Sequence, residues 1–268
     1  MNIDQLEQNW EASGRKDPLW TIRTLPDKKH GQWEPDEFFN SGREEVVGVL
    51  NYLKSLGIAV ERDSALDFGC GVGRLTQALA DHFDDVVGVD IAISMIKLAR
   101  KYNRVGDRCR YYTNETDNLR LFADGPFDFI YSNMVLQHME PRYVKNYLRE
   151  FVRLLTPKGV LIFQIPAALI KVPPPPSLDK PSLTERVFRR FRKLAEPTME
   201  MYCMPPEEVT EIIEESGARV VDVKETDDSG PYYLSLRYCV ERLVKNPEPI
   251  SGLDEHRNDG QINVQTVG

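Results

Sequence analysis

A short apolar run, three closely spaced glycines and the start of an amphipathic helix follow one another near residue 70. The segment 65–76 reads Ala-Leu-Asp-Phe-Gly-Cys-Gly-Val-Gly-Arg-Leu-Thr. Its first residues predict a buried parallel strand, and its last residues predict the first turn of a helix. Because glycine has no Cβ atom, Gly69, Gly71 and Gly73 let a ligand approach the backbone closely. This order of elements predicts a cofactor-binding turn.

The spacing of the glycines constrains which cofactor the turn can bind. A dinucleotide fingerprint has the pattern Gly-x-Gly-x-x-Gly, and counting from Gly69 its third glycine would fall at Arg74. The chain has Gly-x-Gly-x-Gly instead. Asp67 also precedes the turn, where a carboxylate would repel a diphosphate but attract an ammonium or a sulfonium.

Composition favours one catalytic domain with small-molecule partners. The chain has 268 residues, of which 41% are hydrophobic, and a formal net charge of −8 that opposes broad attraction to nucleic acid or anionic membranes. Its four cysteines form no Cys-x-x-Cys pair and no histidine lies at metal spacing, so we expect reduced thiols, with neither a zinc site nor a disulfide framework, while a magnesium requirement stays open. With neither a leader nor an integral membrane segment evident, we expect a cytoplasmic protein. The sequence does not indicate an oligomeric state.

Strand and helix patterns alternate after the glycine turn, which indicates a parallel sheet with crossover helices. Predicted strands lie at 86–89, 109–113, 127–132, 160–165, 219–224 and 232–240, and predicted helices at 35–56, 93–102, 141–155 and 205–216. The last two strands are joined by a segment too short for a crossover helix. We therefore expect an antiparallel hairpin at the end of the sheet.

The stretch 157–206 has a different texture, because it contains ten of the 18 prolines. No strand is predicted in it beyond residue 165. Residues 184–195 could form a basic amphipathic helix, either as a solvated face that packs on the core or as a substrate-side element that attracts an anion.

Several features agree in order and spacing with one protein family. They are the glycine turn Leu66–Arg74, the acid Asp90 at the end of the second strand, the segment Phe127–Asn133 and the closing hairpin. Over roughly residues 60–242 the chain resembles class I S-adenosylmethionine-dependent methyltransferases, and its pattern is closest to small-molecule and sugar O-methyltransferases. The resemblance implies a three-layer, Rossmann-like α/β fold whose mostly parallel seven-stranded sheet has an antiparallel last strand.

The resemblance also implies a division of the chain. Residues 1–58 would form an N-terminal helical segment or lid, and residues 59–244 the class I methyltransferase domain. A substrate-side, proline-rich insertion would occupy residues 166–204, before the sixth strand, and a polar tail residues 245–268.

The resemblance implies S-adenosyl-L-methionine as the methyl donor and S-adenosyl-L-homocysteine as the product. Asp90 would accept both ribose hydroxyls, since two carboxylate oxygens match a vicinal diol. Glu115 and Thr116 stand where relatives often carry Gly-Asp-Ala beside the adenine. The cofactor-binding residues implied in this way are Asp67, Gly69, Cys70, Gly71, Gly73, Asp90, Ile91, Met95, Glu115, Thr116, Ser132 and Asn133.

His138 is the candidate catalytic residue. It follows the fourth strand, where the family places the methyl acceptor, and its imidazole has the chemistry of a general base. Methyl transfer is an in-line displacement, and a hydroxyl acceptor must also lose its proton. We therefore expect O-methylation of a small-molecule, glycoside or lipid-linked acceptor. The alternative is a structural histidine that packs beneath the helix 141–155.

Two other functions remain open from the sequence. One is an NAD(P)-dependent oxidoreductase of the Rossmann type, since Asp90 alone does not separate the two cofactors. The other is a methyltransferase-like module that binds cofactor or partner without turnover. Arg74 could orient Asp67, meet the cofactor carboxylate or face solvent, and Tyr202 and Met204 could line the acceptor pocket.

Overall fold

The central sheet contains seven strands within residues 1–171 and 200–244, the residues that a computed structural model of the chain describes. The strands are β1 Ser64–Phe68, β2 Asp85–Asp90, β3 Cys109–Thr113, β4 Phe127–Ser132, β5 Leu155–Leu169, β6 Ala218–Thr226 and β7 Tyr233–Arg242. Their order is β3-β2-β1-β4-β5-β7-β6, and β7 is antiparallel to both of its neighbours while the other pairs are parallel. The predicted fold class, with an antiparallel last strand, is confirmed.

The helices begin and end where the local sequence favours it. They are α1 Ile3–Lys16, α2 Pro18–Ile22, α3 Pro35–Ser55, α4 Arg74–Leu79, α5 Ile93–Tyr102, α6 Pro141–Leu154 and α7 Pro206–Glu215. Proline stands in the first turn of α3, α6 and α7, where its missing N–H costs no hydrogen bond. Gly217 follows α7 with a φ of +87°, which is a conformation typical of a helix C-terminus.

The sheet lies between two helical layers, because successive side chains of each strand point to opposite faces. Leu66 and Phe68 of β1 pack in one cluster with α6 and α7. Ala65 of the same strand packs in a second cluster with α3, α4 and α5. Asp67 shares the face of Ala65, so its carboxylate points toward α4.

A third hydrophobic cluster attaches the N-terminal segment to the glycine turn. Trp33 and Phe38 pack there with Val72 of the turn and with Ala92 and Met95 at the start of α5. The N-terminal segment therefore lies over the carboxyl ends of β1 and β2. The sequence-based division at residue 58 falls between α3 and β1 and stays a prediction.

The structure corrects one predicted strand. The sequence indicated a strand at 160–165, but β5 begins at Leu155 and continues through Pro166 to Leu169. β7 pairs along the whole of this extension, and the register shifts between Pro166 and Ala168. The Pro166 carbonyl also accepts a hydrogen bond from the Met204 N–H at 2.9 Å. Tertiary pairing thus overrides the local signal of the proline. The predicted basic helix at 184–195 and the polar tail lie outside the described residues.

Within the described ranges no helix is both long and apolar enough to cross a lipid bilayer.

Candidate active site

One cavity of about 1290 Å³ opens at the edge of the sheet where the parallel strands end. Open α/β sheets bind ligands at this edge because the loops after the strands gather there. Its walls come from the N-terminal segment, the loops after β1, β2 and β4, and the turn between β6 and β7. Lining residues include Leu6, Trp10, Lys16, Trp20, Ile22, Arg23, Glu45, Gly69, Cys70, Gly71, Arg74, Asp90, Ile91, Met95, Asn114, Asn133, Val135, Gln137, His138, Met201, Asp228 and Ser229.

The glycine turn needs glycine for steric reasons. Gly69 has a φ of +78°, and a Cβ atom on it would lie 2.3 Å from Cγ2 of Val135. Gly71 has a φ of +52°, and its Cβ atom would lie 2.5 Å from Cδ1 of Ile22. Both conformations are rare for other residues, and both added atoms would clash. The turn is therefore held between the loop after β4 and the N-terminal helix α2.

Asp90 ends β2 and anchors the glycine turn. One carboxylate oxygen accepts a hydrogen bond from the Gly71 N–H and the other from the Ala92 N–H, each at 2.8 Å. Burial raises the pKa of Asp90, and these two backbone donors act against the rise. Each carboxylate oxygen keeps a second lone pair. Asp90 can therefore hold the turn and accept hydrogen bonds from a vicinal diol at the same time.

Asp67 lies beneath the turn and is 1% exposed. Its Oδ2 accepts a hydrogen bond from the Thr76 hydroxyl at 2.6 Å, whereas its Oδ1 has no partner among the described residues. Burial raises the pKa of Asp67 to about 7, and the hydrogen bond from Thr76 lowers it in part. A buried carboxylate oxygen without a donor favours a cationic group nearby.

The raised pKa of Asp67 predicts a pH-dependent cost in stability. The folded-state pKa lies above the unfolded value, so the carboxyl is neutral and harmless at low pH, and stability falls as pH rises from about 4 toward 7. We expect Asp67→Asn to raise the free energy of unfolding by about 2 kcal/mol at pH 8, about half of the full linkage value, because the new amide must itself be buried. Urea unfolding at pH 8 and pH 5 checks this. An equal gain at both pH values would contradict the assignment.

A buried polar network closes the floor of the cavity. Glu45 of α3 accepts hydrogen bonds from Arg74 at 2.8 Å, from the Tyr131 hydroxyl at 2.9 Å and from the Asn133 amide at 2.9 Å. Burial alone would raise the pKa of Glu45, but Arg74 and the two other donors outweigh it and lower the pKa. Arg74 is 2% exposed, so the solvent-facing alternative for this arginine is wrong.

The same network orients Asn133. Its Nδ2 donates to Glu45, which leaves its buried Oδ1 without a partner among the described residues. Asn133 lines the cavity, and this oxygen keeps the lone pairs with which an amide accepts hydrogen bonds.

The other predicted cofactor residues divide into two groups. Cys70, Ile91 and Met95 line the cavity. Burial raises the pKa of Cys70 well above its usual range, which keeps its thiol protonated. Gly73 and Ser132 are close by but buried behind the lining.

Glu115 and Thr116 are exposed and do not line the cavity. The neighbouring Asn114 does, and its amide donates to the Thr116 and Asn118 carbonyls at 3.1 and 3.0 Å. The adenine role of Glu115 and Thr116 stays a prediction, and Asn114 is the residue whose position fits the cavity.

Two residues suggested for the acceptor pocket have other positions. Met204 is 1% exposed and belongs to the core under α6 and α7. The Tyr202 hydroxyl donates to the Glu200 carboxylate, and its backbone N–H donates to the Gln137 carbonyl at 2.8 Å. Met201, between them, lines the cavity instead.

His138 lies in a short 3₁₀ turn, Leu136–His138, after β4. Its Nδ1 lies 3.0 Å from the Glu200 carbonyl oxygen, so Nδ1 carries the proton and donates it. Its Nε2 lies 3.2 Å from the Gln137 amide nitrogen, and its ring meets Trp10 edge-on at 5.3 Å between centroids. Burial lowers the pKa of His138, and the bond to Glu200 opposes this in part. The imidazole is therefore neutral at pH 7, with its lone pair on Nε2.

Sequence reasoning missed Glu45, Gln137, Ser229 and the Glu200 carbonyl. Glu45 belongs to a helix that precedes the glycine turn, and no local pattern distinguishes it from a surface acid. Gln137 stands beside His138, which is the one signal that could have drawn attention to it.

The cavity fits the cofactor that the sequence implied. Beside the glycine turn it offers oxygen acceptors, namely the remaining lone pairs of Asp90 and the side-chain oxygen of Asn133, with the Asp67 carboxyl buried beneath the turn. Such acceptors suit ribose hydroxyls and an ammonium. The cationic side chains of Lys16, Arg23 and Arg74 also line the cavity. No group of three or more His, Cys, Asp or Glu side chains within 1–171 and 200–244 could hold a metal ion.

Comparison with known proteins identifies the domain. Residues 66–163 match the family model described as a methyltransferase domain. The chain carries a class I methyltransferase domain. Enzymes with this domain use S-adenosylmethionine, so the nicotinamide alternative loses its support. The matched range begins in β1, includes Asp67, Asp90 and His138, and ends within β5.

Two curated relatives and one solved structure give the range of similarity of this methyltransferase domain. A ubiquinone biosynthesis O-methyltransferase of Bordetella avium is 27% identical over 49% of this chain and 54% of its own length. Phosphoethanolamine N-methyltransferase 3 of Arabidopsis thaliana is 31% identical over 41% of this chain and 22% of its own length. The chain thus spans between about a fifth and about a half of these relatives.

The crystal structure of magnesium protoporphyrin IX methyltransferase from Synechocystis PCC 6803 with bound S-adenosylhomocysteine shares the fold. It has a TM-score of 0.58 and 19% identity, and covers 88% of this chain and 98% of its own.

Proposed function

We propose that this protein transfers a methyl group from S-adenosylmethionine to an oxygen of a small-molecule, glycoside or lipid-linked acceptor, with His138 as the general base. One observation carries the proposal. A neutral imidazole with its lone pair on Nε2 lies in the same cavity as Asp90 and the glycine turn. The donor residues and the candidate base thus share one space.

The chain's own residues would hold the donor at the glycine turn. When bound, S-adenosylmethionine supplies an electrophilic methyl group on a sulfonium. Asp90 would accept the ribose hydroxyls, Asn133 would accept from the ammonium, and Asp67 would supply negative charge beneath it. The buried pair of Glu45 and Arg74 would keep the Asn133 amide in this orientation.

His138 would take the proton of the acceptor hydroxyl. Its Nδ1–H stays bonded to the Glu200 carbonyl, which would stabilise the imidazolium that forms. The lowered pKa keeps the base unprotonated at neutral pH. General base catalysis of this kind contributes about 10²- to 10⁴-fold to rate.

The cavity supports an acceptor of small-molecule size. Pockets for drug-sized ligands have volumes of about 300–1,000 Å³. The volume of about 1290 Å³ therefore leaves room for an acceptor beside the donor. Trp10 and Met201 supply apolar surface next to His138. The name of the Bordetella avium relative specifies O-methyl transfer, which agrees with a base in this position.

Product release in an acceptor panel tests the proposal. The protein is incubated with S-adenosylmethionine and matched phenol, sugar and amine acceptors, and S-adenosylhomocysteine is quantified. We expect release with hydroxyl acceptors and none above background with amines of the same shape. Release with amines alone would indicate N-methylation, the reaction named for the Arabidopsis thaliana relative. If S-adenosylhomocysteine binds in calorimetry but no acceptor gives release, the proposal fails for the acceptors tested and the alternative of a binding module without turnover stands.

A further inference from the structure

A continuous chain of side-chain hydrogen bonds runs from the end of the sheet to His138. Gln164 of β5 and Ser235 of β7 are fully buried, and Gln137 is 5% exposed. Gln164 Nε2 donates to the Ser235 hydroxyl at 2.8 Å and to the Ser229 hydroxyl at 2.7 Å. The Ser229 hydroxyl donates to Gln137 Oε1 at 2.8 Å. These buried polar side chains need hydrogen-bond partners, and the chain supplies them. Apolar side chains could fill the same space without any such partners.

The chain fixes which way the Gln137 amide faces. Gln164 Oε1 accepts from the Met134 N–H at 3.1 Å, so the Gln164 amide must direct its nitrogen toward the two serines. The Ser229 hydroxyl accepts from Gln164, and of its two possible acceptors Gln137 Oε1 at 2.8 Å is nearer than Ser235 Oγ at 3.1 Å. Gln164 Nε2 also donates directly to Gln137 Oε1 at 3.3 Å, which supports the same orientation. The Gln137 nitrogen is then directed at His138 Nε2, 3.2 Å away.

The orientation of Gln137 determines the state of the imidazole. An N–H donor facing Nε2 requires a lone pair there, and the Glu200 carbonyl facing Nδ1 requires a proton there. In the opposite tautomer, the Nε2–H would face the Gln137 N–H, and the Nδ1 lone pair would face the Glu200 carbonyl oxygen, so both contacts would be repulsive. In the imidazolium, the Nε2–H would still face the Gln137 N–H.

We propose that Gln137 is a positioning residue that holds His138 in the Nδ1–H tautomer, and that Gln164 and Ser229 set the orientation of its amide. The inference rests on the proposed role of His138 as the base. It adds that the lone pair is held on Nε2 by the Gln137 amide before an acceptor arrives. An acceptor hydroxyl replaces this amide as the donor to Nε2.

Three of the acidic groups around His138 have partners. Glu140 and Glu200 lie on the neighbouring segments, where they contact the Met1 amine, Arg142 and Tyr202. From α1 the ring meets the uncharged Trp10. On the β6–β7 turn, Asp228 is paired with Arg237 at 3.0 Å, and Asp227 lines the same cavity. A new charge at position 137 would therefore be the one in direct contact with Nε2.

The test replaces the Gln137 donor with an acceptor. In Gln137→Glu a carboxylate faces Nε2 and stabilises the imidazolium, so the pKa of His138 should rise by about one unit or more. Nitrogen NMR of histidine-labelled protein follows the titration, with the His138 signals assigned by their loss in His138→Gln.

Gln5→Glu, on the exposed face of α1, is the control, because it adds the same charge away from the cavity and should leave the titration of His138 unchanged. Ser229→Ala, at a half-exposed turn, releases Gln137 and should populate the second tautomer.

Two results would overturn the inference. One is a wild-type His138 that carries its proton on Nε2 at pH 7.5. The other is a titration that is unaltered in both Gln137→Glu and Ser229→Ala. The NMR readout does not depend on turnover, so it separates this inference from the proposed function. A pH profile of kcat/KM for Gln137→Glu then tests the base role. If the pKa of His138 rises in this variant but the acidic limb of the profile does not shift, Gln137 positions the ring while the base role of His138 fails.

Discussion

Replacement of His138 by alanine should lower turnover by about 10²-fold or more, with the affinity for S-adenosylhomocysteine little changed. The reason is that the hydrogen bonds and the ring contact of His138 go to Gln137, the Glu200 carbonyl and Trp10, and not to Asp90 or the glycine turn. Losing the proposed base would therefore slow the chemical step and leave the residues at the glycine turn in place. Single-turnover kinetics and calorimetry measure the two quantities separately.

His30→Asn is the matched control for this experiment. His30 is exposed at the mouth of the same cavity and has a φ of +65°, which asparagine tolerates better than most residues. We expect it to retain turnover. A parallel loss of activity and thermal stability in His138→Ala would contradict the catalytic role, because it would indicate that the ring serves mainly to pack against Trp10.

Replacement of Asp90 by alanine should weaken S-adenosylhomocysteine binding by about 10²-fold. Hydrogen bonds to a charged group contribute about 1.5–3 kcal/mol each, and the carboxylate would make two to the ribose. The variant also leaves the Gly71 and Ala92 N–H groups without their acceptor, so the glycine turn loses its anchor. Calorimetric titration gives the affinity, and a thermal melt gives the part of the loss that comes from the turn.

Asp85→Ala provides a carboxylate deletion in the same strand. Asp85 stands at the other end of β2, is half-exposed and pairs with Arg110 on β3. An exposed pair of this kind is worth little, so binding should change less than about twofold. If Asp85→Ala and Asp90→Ala weakened binding equally, the donor would not use the carboxyl end of β2.

The sequence predicted the sheet well because each strand signal was local. The bounds of β3 and β4 agree with the prediction, since a short apolar run and its flanking turn residues determine a strand by themselves. β5 was predicted too short, because its extension past Ile165 depends on pairing with β7, about 70 residues later in the chain.

The sequence predicted only those residues of the candidate site whose side-chain type and position along the chain indicate a chemical role by themselves. Asp90 and His138 stand directly after strands, where position and side chain together point to a role. Glu45 gives no such signal, because its role depends on Tyr131 and Asn133 arriving from β4. The adjacent residues Asn114 and Glu115 show a further reason, since a shift of one residue along a loop decides which of them lines the cavity.

The contact between Glu45 and Arg74 has a consequence for the smallest unit that can fold. Residues 66–163 match the methyltransferase domain, but Glu45 lies outside that range. A fragment cut to the match would leave the Arg74 guanidinium buried without its counter-charge, a loss that typically costs about 3–5 kcal/mol. That is a large share of the stability of an ordinary domain. The helix α3 is therefore an integral part of the catalytic body, and fragments designed for expression should begin before it.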